Sequence, residues 1–133
     1  MDVQQLQALA RQYQLELVIL FGSRAKGTSR PGSDTDIAVL RRQGIVPPEK
    51  VLELTYRLGR ALDMPNPELV DLRRASPLLK YEVARSGQAL YEAEPGLFQR
   101  FHVLAWKLYQ DDRIRRRGLD RRYLETALQR LSS

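Results

Sequence analysis

Residues 20–27 read Leu-Phe-Gly-Ser-Arg-Ala-Lys-Gly, and residues 33–39 read Ser-Asp-Thr-Asp-Ile-Ala-Val. The first stretch begins at the end of a β-type run over 16–21, and the second leads into a β-type run over 35–40. Both runs are rich in branched apolar residues. The first run has no polar face, which predicts a strand covered on both sides. We therefore expect two strands of a buried sheet, joined by a glycine-containing segment.

The rest of the chain predicts helices around these strands. Helical spacing and capping residues indicate the following elements: a helix over 2–13 capped by Asp2, a helix that has Pro47 and Pro48 in its first turn and runs to about Leu62, a strand over 68–72, a helix opened by Ser76 and Pro77 and closed by Gly87, an edge strand over 88–91, and two helices over 97–111 and 119–131. This order predicts an α/β (α+β) protein with a small mixed β-sheet covered by helices. We divide it into a core over 1–94 and a helical extension over 95–133.

Composition excludes several classes of protein. The 133 residues are 43% hydrophobic and 29% charged, which is typical of one globular domain. The absence of cysteine and the single histidine exclude a disulfide framework and a zinc site built from Cys and His. The longest apolar run, 17–21, is far shorter than the roughly 20 residues of a membrane span, so we expect a soluble, cytoplasmic protein without membrane contact.

The net charge of +6 lies almost entirely in the extension. Residues 1–94 carry 13 Lys and Arg against 12 Asp and Glu, whereas residues 95–133 carry nine against four. The excess is concentrated in a cluster formed by Arg113, Arg115, Arg116, Arg117, Arg121 and Arg122. It is open to three interpretations: a solvated segment, a contact with a partner protein, or a contact with nucleic-acid phosphates. We rank nucleic acid last because the cluster lacks interleaved aromatic residues.

Asp34 and Asp36 form a candidate metal site. Residues two apart in a strand face the same side, so the two carboxylates converge while Ile37 and Val39 face the core. Two adjacent negative charges are unfavourable without a cation between them, and oxygen ligands favour a hard ion such as Mg²⁺.

Gly22 and Ser23 form a candidate phosphate site beside these carboxylates. They end the first strand, where backbone N–H groups and the Ser23 hydroxyl can face an anion, and Arg24 and Lys26 add positive charge. Asp71, on the third strand, is a candidate third carboxylate that completes a second metal position or accepts a proton from the nucleophile. A phosphate cradle beside a cation site suits transfer from a nucleoside triphosphate.

Gly22-Ser23, followed after ten residues by Asp34-x-Asp36 and then by Asp71, resembles the minimal nucleotidyltransferase (MNT) domain of the polymerase β-like superfamily over residues 10–92. The resemblance implies two Mg²⁺ ions on Asp34, Asp36 and Asp71, and ATP held at Gly22 and Ser23. The length is similar to that of MNT antitoxins that act beside HEPN-domain toxins. That likeness implies transfer of AMP to a tyrosine of the toxin, with the C-terminal helices as the partner or dimer interface.

Two alternatives stay open. The same motif occurs in nucleotidyltransferases that modify small molecules such as antibiotics, although about 40 residues after position 95 leave little room for an acceptor-binding domain. The second alternative is a stoichiometric toxin-binding module with a vestigial nucleotide site. The presence of all three aspartates disfavours it.

Overall fold

The structure, a computed structural model, describes residues 1–22 and 35–132. Its elements in chain order are α1 (Val3–Gln12), β1 (Leu15–Phe21), β2 (Thr35–Arg41), α2 (Pro48–Leu62), β3 (Pro67–Asp71), α3 (Pro77–Ser86), β4 (Gln88–Glu92) and α4 (Leu97–Ser132). The predicted glycine-containing segment between the first two strands lies outside the described residues. None of the described helices combines the length and apolarity required to cross a membrane.

The four strands form one mixed sheet in the order β3-β2-β1-β4. β1 is antiparallel to both β2 and β4, whereas β2 and β3 run parallel. β1 is central, and six of its seven residues are buried, as its uniformly apolar sequence predicts. The predicted mixed sheet is therefore confirmed, and β4 lies at an edge as expected.

Helices cover both faces of the sheet and create two cores. On one face, Val18 and Val39 pack with the α2 residues Leu54 and Leu58, together with α1. On the other face, Ile19 and Ala38 pack with Val83 of α3 and with Phe101 and Ala105 of α4. Because successive strand residues point to opposite faces, Ile37 and Val39 of β2 belong to the first core, and Ala38 and Leu40 belong to the second.

The predicted helix starts are confirmed by their caps. The Asp2 carboxylate accepts a hydrogen bond of 3.0 Å from the Gln5 N–H, and the Ser76 hydroxyl accepts one of 3.1 Å from the Leu79 N–H. These side chains satisfy N–H groups that the first turn of a helix leaves without partners.

Gly87 ends α3 for a reason that differs from the expected one. Its φ of −84° is not left-handed, so the backbone conformation does not require glycine. Close packing does require it, since a Cβ at Gly87 would lie 2.5 Å from Cγ2 of Ile19 and against the Val83 carbonyl oxygen. The glycine lets the end of α3 rest directly on β1.

The prediction of two C-terminal helices is wrong. α4 is a single helix of 36 residues that continues through Gly118. One exposed glycine costs a helix only about 1 kcal/mol. Asp112, in turn, forms ion pairs of 3.2 Å with Arg115 and 3.0 Å with Arg116, which join the turns where the first helix was expected to end.

Glycine-to-alanine substitutions separate these two glycines. We expect Gly87→Ala to lower the free energy of unfolding by roughly 1–3 kcal/mol, because the new methyl group overpacks the α3–β1 contact. Gly118→Ala, where a Cβ meets nothing within 4 Å, is expected to maintain or raise helicity. Urea denaturation and far-ultraviolet circular dichroism measure the two effects. A loss of helicity in Gly118→Ala would contradict a continuous α4.

Candidate functional site

Asp36 lies where β1 ends and β2 begins. It is paired across the strands with Phe21, so it lies on the face of the sheet that α3 and α4 cover. Gly22 follows with a φ of +87°, a conformation that favours glycine. A Cβ on Gly22 would lie 2.5 Å from the Oδ2 atom of Asp36. The carboxylate of Asp36 therefore rests directly against the Gly22 backbone.

Four residues of the expected site lie outside the described residues. These are Ser23, Arg24, Lys26 and Asp34. Their proposed roles remain predictions, including the alternation that is expected to place Asp34 on the same face as Asp36.

Asp71 is not brought together with Asp36. In the parallel pairing of β2 with β3, Asp71 aligns with Val39, which belongs to the core formed with α1 and α2. Asp36 lies on the opposite face and is aligned three residues earlier along β3, a separation of about 10 Å along the strand. The expected convergence of Asp34, Asp36 and Asp71 is therefore not what the structure shows for its described members.

The carboxylate of Asp71 is engaged by backbone groups. Its Oδ2 atom accepts a 2.7 Å hydrogen bond from the Val46 N–H, and its Oδ1 atom accepts a 3.0 Å hydrogen bond from the Arg73 N–H. The Arg73 guanidinium in turn donates to the carbonyl oxygens of Arg41 and Arg42, each at 3.0 Å. Asp71 thus joins the end of β3 to the segment that connects β2 with α2.

Glu68 is the carboxylate that the structure aligns with Asp36. The two residues are register partners on adjacent parallel strands, so their side chains leave the same face of the sheet. Glu68 is exposed, at the start of the edge strand β3. Glu68 lies within the strand that the sequence predicts over 68–72, but no role was predicted for it, because its proximity to Asp36 depends on strand register.

Both faces of β3 pack against helices. Leu69 packs with α1 and α2, and Val70 packs with α3 and α4. Apolar neighbours therefore do not reveal which way Asp71 points. β3 contains two acidic residues, Glu68 and Asp71, and the sequence alone offers no feature that distinguishes one of them as the third carboxylate.

The start of β3 is fixed by close packing on α2. The Met64 N–H donates a 2.8 Å hydrogen bond to the Gly59 carbonyl oxygen. A Cβ on Gly59 would lie 2.9 Å from Cγ of Pro67 and 3.0 Å from the Met64 carbonyl oxygen. The turn before β3 thus rests on the helix backbone, which fixes the position of Glu68 one residue later.

The donor set suits a hard cation. Asp36 and Glu68 supply carboxylate oxygens from one face, which is the ligand chemistry that Mg²⁺ prefers. Within residues 1–22 and 35–132, no group of three His, Cys, Asp or Glu side chains is arranged to hold a metal ion. We therefore expect the third ligand in the segment over 23–34, which contains Asp34.

A family model and a named relative both match most of this chain. The family model described as "Polymerase beta, Nucleotidyltransferase" matches residues 4–95. Protein adenylyltransferase MntA of Shewanella oneidensis is 35% identical over 107 residues, which cover 79% of this chain and 73% of that protein.

Solved structures extend the similarity to most of the chain. A toxin–antitoxin crystal structure with AMP-PNP is 31% identical with a TM-score of 0.73, over 93% of this chain and 99% of the other. A structure described as a tri-AMPylated Shewanella oneidensis HEPN toxin in complex with MNT antitoxin matches at 29% identity and a TM-score of 0.66, over 92% of this chain and 95% of the other.

The two acidic residues of β3 are expected to differ in their effect on stability. Asp71→Asn should lower the free energy of unfolding by about 1–2 kcal/mol, because an amide replaces one of the two acceptor oxygens with a donor facing an N–H group. Glu68→Gln should change it by less than about 0.5 kcal/mol, since Glu68 is exposed. Urea denaturation measures both, and equal losses in the two variants would contradict the structural role of Asp71.

The contact between Gly22 and Asp36 is tested by a double-mutant cycle. We expect Gly22→Ala to destabilise the protein by about 1–3 kcal/mol, through a strained φ and a collision with the Asp36 carboxylate. In an Asp36→Ala background the collision disappears and only the strain remains. Strict additivity of the two substitutions would show that the side chains do not meet.

Proposed function

This chain belongs to the polymerase β nucleotidyltransferase family, and we propose that it transfers AMP from ATP to a hydroxyl group of a HEPN-type toxin as its antitoxin. The predicted family and fold are confirmed, and the chain is a nucleotidyltransferase. Transfer of AMP to a toxin is supported by the similarity of this chain, across most of its length, to an adenylyltransferase and to MNT antitoxins in toxin complexes.

We propose that Asp34, Asp36 and Glu68 hold Mg²⁺, two ions in all, with Glu68 in place of Asp71. The shared face of Asp36 and Glu68 supports this assignment, as does the engagement of both Asp71 oxygens by backbone N–H groups. When bound, Mg²⁺ offsets the negative charge of the triphosphate and of the transferring phosphoryl group.

The triphosphate is proposed to bind at Gly22 and Ser23, with Arg24 and Lys26 contributing positive charge. Support comes from the position of Gly22, which lies at the end of β1 and against Asp36. The turn at Gly22 thus places its backbone beside the carboxylate proposed to hold the cation, and backbone N–H groups at such a turn can face the triphosphate.

The reaction forms a bond between the acceptor oxygen and the α-phosphorus and breaks the bond to the bridging oxygen, so pyrophosphate leaves. The hydroxyl proton passes to a carboxylate of the site, and Glu68 replaces Asp71 as the candidate acceptor. Asp71 is poorly suited because its two oxygens already accept hydrogen bonds at 2.7 and 3.0 Å.

The acceptor is proposed to be a tyrosine of the HEPN partner. The solved complex similar to this chain contains an AMPylated HEPN toxin, which supports a protein acceptor. We further propose that residues 1–94 carry the chemistry and that residues 95–133 contact the partner. Exposed apolar side chains along α4, such as Trp106 at 48% exposure, support the second assignment.

The decisive experiment is co-expression with the HEPN-domain protein encoded beside this chain, followed by intact mass spectrometry of the partner with and without ATP and Mg²⁺. We expect the partner to gain one or more AMP units. Asp36→Asn and Glu68→Gln should reduce transfer by at least about 100-fold, because each weakens the cation site. Asp71→Asn, the matched control on the same strand, should stay within about threefold of wild type.

The possible failures have different meanings. A stable complex without any gain of mass would favour a stoichiometric binder, and no complex at all would favour a small-molecule acceptor. Loss of transfer in a folded Asp71→Asn protein, with full transfer in Glu68→Gln, would reverse the assignment of the third carboxylate.

A further inference from the structure

The final part of α4 is separate from the two cores. Residues 97–109 pack on the body of the protein, where Phe101 and Ala105 are buried and the Tyr109 ring stacks on Tyr81 at 4.7 Å. From residue 113 to residue 131, every described side chain is exposed except Ala127, which is half-buried. We call residues 113–131 the arm, a helical segment about 28 Å long.

One face of the arm combines arginine with leucine. Arg117, Arg121, Leu124, Leu128 and Leu131 follow one another at intervals of four, three, four and three residues. This spacing places all five on the same face of a helix, and we call them the seam. Leu124, Leu128 and Leu131 are 60%, 64% and 83% exposed. Three aligned leucines in water are typical of a surface that a partner covers.

The arm is strongly positive. It contains seven arginines and only two acidic residues, Asp120 and Glu125. Three of these arginines form contacts within α4: Arg115 and Arg116 form ion pairs with Asp112, and Arg113 lies over the Tyr109 ring. The seam residues Arg117 and Arg121 form no ion pair with a described side chain. Their charge remains available to an acidic partner.

The pattern along the seam disfavours pairing with a second copy. In a parallel pair, Arg117 and Arg121 would face the same arginines of the other chain, and like charges repel. In an antiparallel pair that overlaps along the whole seam, Arg117 would face Leu131 and Arg121 would face Leu128, so charge would be buried against apolar side chains. A different protein satisfies both halves of the seam when its surface is apolar at one end and acidic at the other.

We infer that the seam of the arm is the docking element for the HEPN-type partner, and that it binds a helical groove with an apolar end and an acidic end. This inference rests on the proposed function only for the identity of the partner. Docking through the arm raises the effective concentration of the acceptor at the site of Asp36 and Glu68.

Charge reversal with a matched control tests the seam. The test variant is Arg117→Glu with Arg121→Glu, and the control is Arg115→Glu with Arg122→Glu. Both change the net charge equally, but Arg115 and Arg122 lie on the opposite face of the helix. Using the full chain and the co-encoded HEPN protein, we expect the test variant to raise the Kd at least about tenfold and the control less than about threefold. Circular dichroism and ATP affinity should match wild type in both.

The outcomes separate this inference from the proposed chemistry. Asp36→Asn should bind the partner with wild-type affinity, because the seam is distant from Asp36 along the chain. If the wild-type protein docks through the seam but transfers no AMP, only the proposed function is contradicted. Equal weakening by both charge reversals would overturn the inference, as would wild-type affinity of the test variant. A wild-type chain that does not bind the HEPN protein, or that sediments as a dimer disrupted by Leu124→Ser with Leu128→Ser, would also overturn it.

Discussion

The register of β2 between its two neighbours determines which side chains meet at the site. Its antiparallel pairing with β1 sets Asp36 opposite Phe21, and its parallel pairing with β3 sets Asp36 beside Glu68. Ile37 and Val39 hold this register by packing into the core under α1 and α2, while Ala38 packs under α3 and α4. A slip of one residue would exchange the two faces, so the buried residues of β2 fix the position of its carboxylate.

Two acidic residues of one short strand thereby acquire different roles. Glu68 leaves the sheet on the face of Asp36, whereas Asp71 leaves it on the other face and binds the N–H groups of Val46 and Arg73. The hydrogen bonds of Asp71 and the packing of Pro67 on Gly59 hold the two ends of β3. β3 is thus anchored at both ends even though it is an edge strand. This anchoring lets an exposed glutamate occupy a defined position.

Local patterns predicted most of the fold because their physical causes are local. Asp2 and Ser76 cap helices through their own side chains, and the apolar sequence of β1 requires cover on both faces. The proximity of Gly22 and Asp36 was also predicted, because a phosphate site and a cation site must lie side by side to bind one triphosphate, and the structure places the two residues in contact. Register, in contrast, depends on residues distant in the chain, so the sequence did not distinguish Glu68 from Asp71. The continuity of α4 was missed because a single exposed glycine does not by itself end a helix, and the ion pairs of Asp112 support the turns that precede it.

We propose that Asp36 and Glu68 belong to one cation site and that Asp71 does not. Electron paramagnetic resonance during titration of Mn²⁺ into the protein with a non-hydrolysable ATP analogue measures the affinity of this site. We expect Glu68→Gln to weaken Mn²⁺ binding at least about tenfold and Asp71→Asn to bind Mn²⁺ like wild type. Weakened binding in a folded Asp71→Asn protein, together with wild-type binding in Glu68→Gln, would contradict it.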